Sequence, residues 1–244
     1  MKGMILAAGF GHRLRPMTEH LPKPLLPVSG IPLIHYNILL LKHYGITDIM
    51  INVHYHADKI MDALGDGSQF NVQITYSKED HILGTGGGIK NLQSKLGDAD
   101  FLVINADILV DIDLAQLISF HQKNKPRATL VLRKDPNLAQ YGIIETDSDA
   151  RIQNILSKVP VAKGCFQERM FTGIHIITPK VFDYIPPGTF YSITDSYIEM
   201  LKKEEHLCGY FMDGYWNDIG VEARYQEVSQ GIKEGKIRLR YMDH

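Results

Sequence analysis

Apolar positions along the chain fall into runs of strand length and stretches of helical spacing, taken in turn. Residues 4–8 form a continuous apolar run that stops at Gly9. A run with no polar alternation reads as a strand buried on both faces. Residues 32–44 then place apolar side chains three and four apart, with Pro32 at the start and Gly45 as the stop, and predict a helix. The pattern continues with a strand over 48–53, a short helix over 58–64, a strand over 72–77 and a helix over 89–96. A fully apolar strand over 101–105 and an amphipathic helix over 114–124 follow. This alternation predicts an α/β fold: an open mixed sheet, mostly parallel, flanked by helices.

Later residues change the rhythm. Strands are expected over 128–133, 142–146, 152–156 and 173–178, with the turn Asp147-Ser148-Asp149 between two of them. Ser192-Ile193-Thr194-Asp195 reads as a capping box, followed by Tyr197, Ile198 and Leu201 on one helical face. A last helix begins near Val221. No linker, low-complexity stretch or internal repeat interrupts the 244 residues, so a single domain is expected.

Composition narrows the classes. The formal net charge is −2 and the basic residues are scattered, so no surface built to neutralise a nucleic-acid backbone is expected. The two cysteines, Cys165 and Cys208, fit neither a CxxC nor a zinc spacing, and read as free thiols in a cytoplasmic protein. No apolar run reaches the length of a membrane span. His54-Tyr55-His56 has the look of a metal motif but lacks further ligands at suitable spacing.

The chemistry gathers first at Leu6-Ala7-Ala8-Gly9-Phe10-Gly11-His12-Arg13-Leu14, continuing to Pro22-Lys23-Pro24-Leu25. A strand ending in Gly9 and Gly11 lets backbone N–H groups approach phosphate oxygens with no Cβ in the way. Arg13 and Lys23 add permanent charge. Position 14 is Leu, and the second strand ends in Asn52, Val53 and His54, so the dinucleotide fingerprint fails. No Gly-Lys-Ser/Thr follows the glycines, so the P-loop fails too. Gly84 to Gly88 form a second glycine-rich loop. Asp107 stands at the carboxyl end of an apolar strand, where open α/β sheets bind ligands. With Asp218 in the apolar stretch 215–219 it makes a carboxylate pair suited to Mg²⁺.

These segments resemble the sugar-1-phosphate nucleotidyltransferases. The resemblance rests on Gly9-x-Gly11-x-Arg13-Leu14-x-Pro16-x-Thr18 and Pro22-Lys23-Pro24-Leu25-x-Pro27. It continues through Leu83-Gly84-Thr85-Gly86-Gly87-Gly88, Asp107, Tyr141-Gly142, Lys158, Thr172-Gly173 and Trp216-Asn217-Asp218-Ile219-Gly220. It implies a Rossmann-like nucleotidyltransferase fold, with a nucleotide half over about residues 1–125 and a sugar-phosphate half over about 126–244. It implies Leu6, Ala8, Gly9, Gly11, Arg13, Lys23, Glu79, Gly84, Thr85 and Gly86 at the nucleotide. At the sugar phosphate it implies Asn105, Tyr141, Gly142, Lys158, Thr172 and Gly173, with Asp107 and Asp218 on Mg²⁺. Arg13, Lys23 and Asp107 would carry the catalysis.

The substrates implied are a nucleoside triphosphate and a sugar 1-phosphate. Within the family the chain looks most like the short uridylyltransferases acting on N-acetylmuramic acid 1-phosphate, with the guanylyltransferases for mannose or heptose 1-phosphates next. UTP is therefore slightly favoured over GTP. Three positions depart from the family pattern: Ala106 for Gly, Ser157 for Glu and Val221 for Thr. The residues after Val221 leave no room for the β-helix domain some of that family carry, so a second activity is not expected. Nothing in the sequence excludes an oligomer.

Overall fold

The computed structural model describes residues 1–160 and 164–242. The chain packs as two compact units whose segments interleave: Met1–Ile82, Ile104–Ile112 and the residues from Gly214 on, then Leu83–Val103 with Asp113–Asp213. The class is the α/β one expected, a mostly parallel central sheet with flanking helices.

In the first unit the strands Lys2–Leu6, Asp48–Val53 and Gln73–Lys78 lie side by side in parallel, with Ile5 opposite Ile51 and Ile51 opposite Tyr76. Met4, Ile5, Ile49, Ile51 and Val53 are fully or almost fully buried, as a sheet covered on both faces requires. The helix Leu33–His43 buries Leu33, Ile34, Ile38, Leu40 and Leu41. Its Asn37 is buried too, and its amide donates to the Ala106 carbonyl at 3.3 Å. All three parallel strands end at the same edge of the sheet, so the loops after Leu6, Val53 and Lys78 open side by side. Two short strands, Ile108–Val110 and Trp216–Asp218, pair antiparallel with Asp218 opposite Ile108.

The second unit is built on the long strand Gln167–Ile177. It pairs antiparallel with Ala128–Arg133 on one side and Ile143–Thr146 on the other. Ile152–Ile155 extends one edge antiparallel, and Leu207–Phe211 the other in parallel. Asp113 caps the helix Leu114–Asn124 through the Ala115 and Gln116 N–H groups. Ser192 caps Ile193–Lys202 through the Thr194 N–H.

One expectation needs correction. Residues 84–88 are not a loop but the start of the helix Gly84–Asn91, and the helix expected over 89–96 divides into this one and Gln93–Leu96. Glycine resists helix by about 1 kcal/mol per residue. Packing explains the exception. A Cβ on Gly87 would stand 2.6 Å from the Thr189 carbonyl oxygen, and one on Gly84 2.8 Å from that of Tyr191. The Gly86 and Gly87 N–H groups both donate to the Tyr191 carbonyl, at 2.9 and 3.2 Å. Only bare backbone allows the segment ahead of Ile193–Lys202 to come this close.

The core of this unit holds a His175–Tyr197 pair, with the phenol oxygen 2.5 Å from the imidazole Nδ1. Burial pushes the His175 ring down from 6.5 to about 3. The unfolded chain therefore binds more protons between those values, and stability falls as pH drops from about 6.5 toward about 3. The slope reaches up to about 1.4 kcal/mol per pH unit. Urea midpoints against pH should fall less steeply in His175→Gln, which cannot titrate, and equal slopes would overturn the assignment.

Candidate functional site

The site of the first unit starts where Lys2–Leu6 ends. Ala7 N–H donates to the Asn52 side-chain oxygen at 3.0 Å, which fixes the chain as it leaves the sheet. Ala8 is buried, and Gly9 has open space where a Cβ would stand. Gly11 is different. Its φ of +68 is left-handed, and a Cβ there would press on Thr18 at 3.0 Å and on the Lys23 Cβ at 3.3 Å. Thr18 is fully buried and donates its hydroxyl hydrogen to the Gly11 carbonyl. Gly11 thus closes the loop, while the open face at Gly9 leaves backbone accessible to a phosphate. The 3-10 turn His12–Leu14 buries Leu14 and turns Arg13 outward.

Lys23 is nine-tenths buried in the turn Lys23–Leu25. Its ammonium donates to Asp107 Oδ2 at 2.6 Å and lies 4.0 Å from Asp218 Oδ1. Asp107 follows Asn105, the half-buried last residue of the strand Phe101–Asn105, and buried Ala106, whose N–H donates to the Leu6 carbonyl at 3.0 Å. Asp218 arrives on the strand paired with Ile108–Val110, and Ile219 N–H donates to the Asp107 carbonyl. That pairing sets the two carboxylates side by side.

Burial raises the Asp218 carboxyl above the usual range, and the like charge of Asp107 adds to it. Lys23, Arg13 and Arg224 pull the other way. Asp218 Oδ1 is buried with no hydrogen-bond partner. An anionic oxygen left so is costly unless a cation meets it. Among the described residues no cluster of three or more His, Cys, Asp or Glu could hold a metal, so the pair brings two carboxylates and no third ligand of these types. Mg²⁺ is commonly held by one or two carboxylates, with phosphates and water completing its shell. The residues present fit that ion.

Sequence reasoning missed two residues of this site, one at the carboxylate pair and one at the glycine loop. Arg224, in the first turn of the helix Glu222–Lys233, reaches back with Nη1 3.7 Å from Asp218 Oδ2 and donates to the Asp218 carbonyl at 3.4 Å. Asn52, besides holding Ala7, donates to buried Glu79 at Oε1, 2.8 Å away. The available signal was a polar residue interrupting the apolar run that follows Asp48 in the strand Asp48–Val53. His54-Tyr55-His56 fastens the neighbouring loops. His54 Nδ1 meets the Glu79 carbonyl at 2.9 Å, Tyr55 donates to Thr18 at 3.1 Å, and His56 Nε2 meets Glu19 at 3.0 Å. Carbonyls only accept, so both ring nitrogens carry hydrogen.

The remaining candidates lie in the second unit. Thr85 accepts the Ile193 N–H at 2.9 Å, and Gly84 and Gly86 pack on the backbone of residues 191–193. Tyr141 ends the short helix Leu138–Tyr141, and Gly142 has a φ of +84, with Leu156 occupying the space a Cβ would need. Leu156 and Ser157 both hold left-handed backbone, which turns the chain sharply ahead of Lys158. The Lys158 ammonium lies 3.9 Å from Asp195, both side chains about half exposed. Thr172 is buried and donates to the Val131 carbonyl, while Gly173, at φ +78, falls where the register of its strand shifts. Among the described residues no helix is long and apolar enough to cross a membrane.

Comparison with known proteins bears on this arrangement. The chain is 33% identical, over 98% of its length, to a UTP–glucose-1-phosphate uridylyltransferase of Synechocystis, of which it covers 65%. It is 32% identical, over 95% of its length, to a mannose-1-phosphate guanylyltransferase of Mycobacterium tuberculosis, covering 64%. The chain thus spans a little under two thirds of the length of these curated relatives. A Bacillus anthracis structure described as a glucose-1-phosphate thymidylyltransferase, in complex with sucrose, superposes with a TM-score of 0.84 at 28% identity, covering 99% of this chain and 98% of that one. The model of the nucleotidyl transferase family matches residues 2–235, a span that takes in the glycine loop, Lys23, Asp107 and Asp218 alike, and the chain belongs to that family.

Proposed function

We propose that the chain transfers a nucleoside monophosphate from a nucleoside triphosphate to a sugar 1-phosphate and releases pyrophosphate. The observation that carries this reading is the Asp107–Asp218 pair, with Lys23 between the carboxylates and Asp218 Oδ1 buried without a hydrogen-bond donor. A phosphate oxygen of the sugar 1-phosphate attacks the α-phosphorus in line, and the bond to the β-phosphate oxygen breaks. The attacking oxygen is already anionic near neutral pH, so positioning and charge neutralisation replace a general base. Lys23 leaves Asp107 for the α-phosphate. Arg13 holds the departing phosphates and Lys158 the sugar phosphate. Asp107 and Asp218 would hold Mg²⁺, which supplies positive charge to the phosphates when bound. Gly9 and Gly11, with Leu6, Ala8, Glu79 and Gly84, Thr85 and Gly86 at the start of the helix Gly84–Asn91, serve the nucleotide. Asn105, Tyr141, Gly142 and Thr172-Gly173 serve the sugar.

UTP is the favoured nucleotide, with GTP the alternative; the two relatives above are named for one each. A non-catalytic relative would have lost one of Arg13, Lys23, Asp107 or Asp218, and this chain retains all of them. The two free cysteines support a cytoplasmic location. The test is pyrophosphate release with ATP, CTP, GTP, UTP and dTTP against glucose, mannose, heptose and N-acetylmuramic acid 1-phosphates. Release with a pair containing UTP is expected. Release only with GTP would move the assignment to the guanylyltransferases, and none with any pair would overturn transfer.

Lys158 carries a separate expectation. Its loose pairing with Asp195 leaves the ammonium available to a phosphate. A hydrogen bond to a charged group is worth about 1.5–3 kcal/mol, so Lys158→Ala should raise the KM for sugar phosphate by about ten- to a hundredfold. The nucleotide KM should move far less. Equal changes in both would show that Lys158 is structural, and that Ser157 marks a different sugar site.

A further inference from the structure

We infer that Gly220 is a positioning residue for Arg13, an inference that rests on the role proposed above for Arg13 in transfer. Gly220 follows Asp218 by two residues, in a tight turn closed by its own N–H donating to the Asp218 carbonyl at 2.8 Å. Gly11, Gly84 and Gly142 hold left-handed backbone, but Gly220 does not. Its conformation is one any residue adopts, so the demand for glycine here is a demand for space.

The space is shared by the two groups assigned to the chemistry. A Cβ on Gly220 would stand 2.8 Å from Arg13 Nη2, 3.1 Å from Arg13 Cζ and 2.9 Å from Asp218 Oδ1. Those are its three nearest neighbours, and all are side-chain atoms. Gly87 offers the contrast, because a Cβ there meets a backbone carbonyl that cannot step aside. At Gly220 one side chain must give way. Asp218 is mostly buried, with Lys23 at 4.0 Å and Arg224 at 3.7 Å on either side. Arg13 is exposed and turns about four side-chain bonds, so the guanidinium is the group that moves. The bare α-carbon of Gly220 therefore lets the Arg13 guanidinium settle next to Asp218.

The experiment compares Gly220→Ala, Arg13→Ala and the double variant. Four readouts serve: kcat, the Mg²⁺ concentration for half activity, the thermal unfolding midpoint, and the pyrophosphate Kd from calorimetry, which needs no turnover. Gly220→Ala should unfold close to wild type, lose about tenfold or more in kcat, bind pyrophosphate more weakly and keep its Mg²⁺ requirement. Added to Arg13→Ala, it should cost nothing further, because the group it displaces is gone. Wild-type kcat and pyrophosphate affinity in Gly220→Ala, beside losses in Arg13→Ala, would overturn the inference and leave the transfer reading standing. A raised Mg²⁺ requirement, with equal losses in both backgrounds, would place the effect on Asp218 and overturn it too. Unchanged turnover in Arg13→Ala would remove the transfer role of Arg13, and the inference with it.

Discussion

Asp218→Asn is expected to lower turnover by about two orders of magnitude or more while leaving the folded protein as stable as before, or more so. The change keeps volume and removes charge. In the folded chain that charge is a burden: Asp218 is mostly buried, faces the like charge of Asp107, and its Oδ1 has no donor. An amide there is cheaper to bury than a carboxylate. Asp107→Asn should lose turnover on the same scale but with the opposite effect on stability. Asp107 is the carboxylate that Lys23 touches at 2.6 Å, and its removal leaves a buried ammonium facing only Asp218 at 4.0 Å. The unfolding midpoint of Asp107→Asn should therefore drop where that of Asp218→Asn does not. Steady-state rates at saturating Mg²⁺, with thermal unfolding beside them, check both halves. Near-wild-type turnover in both variants would overturn the metal assignment. Matching shifts in unfolding would mean that Lys23 does not distinguish the two carboxylates.

Much of this arrangement was legible because local pattern and tertiary demand agree. The strands Asp48–Val53, Phe101–Asn105 and Ala128–Arg133 and the helix Leu114–Asn124 sit where the apolar runs place them. Each buries an unbroken or regularly spaced set of apolar side chains, which no competing structure satisfies as well. The helix at Gly84–Asn91 was hidden because glycine propensity argues the other way, and only contact with residues 189–193, a hundred residues on, reverses it. Trp216–Asp218 is three residues long and carries no periodicity of its own; its partner Ile108–Val110 defines it. Motif and strand position brought out Asp107 and Asp218. They could not show that Lys23 lies between them, that one buried carboxylate oxygen lacks a hydrogen-bond donor, or that Arg224 leans back from the next helix. Those facts depend on three separated segments meeting, and spacing along one of them does not encode the meeting.

Arg13→Ala should lower kcat strongly while the nucleotide KM changes less. The guanidinium leaves the glycine loop on an exposed residue next to buried Leu14, where it would reach phosphates held, in the transfer proposed above, by the loop backbone. In the proposed transfer, negative charge would grow on the departing β- and γ-phosphates as the bond to the α-phosphorus breaks. A cation placed there stabilises the transition state more than the ground state, and the loss falls on kcat. Removal of such a stabiliser costs on the order of a hundredfold or more. Arg13→Lys should recover only part of it. One ammonium is a point charge and cannot reproduce the two-pronged grip of a guanidinium on phosphate oxygens. If Arg13 were simply a solvated surface charge, its loss would cost within about ±0.5 kcal/mol of stability and leave turnover alone. Steady-state constants for the wild type and the two variants, with thermal unfolding alongside to exclude misfolding, separate these outcomes. A kcat within about twofold of wild type in Arg13→Ala, against the hundredfold expected, would remove Arg13 from the chemistry. Full recovery in Arg13→Lys would keep the charge but reject the bidentate grip.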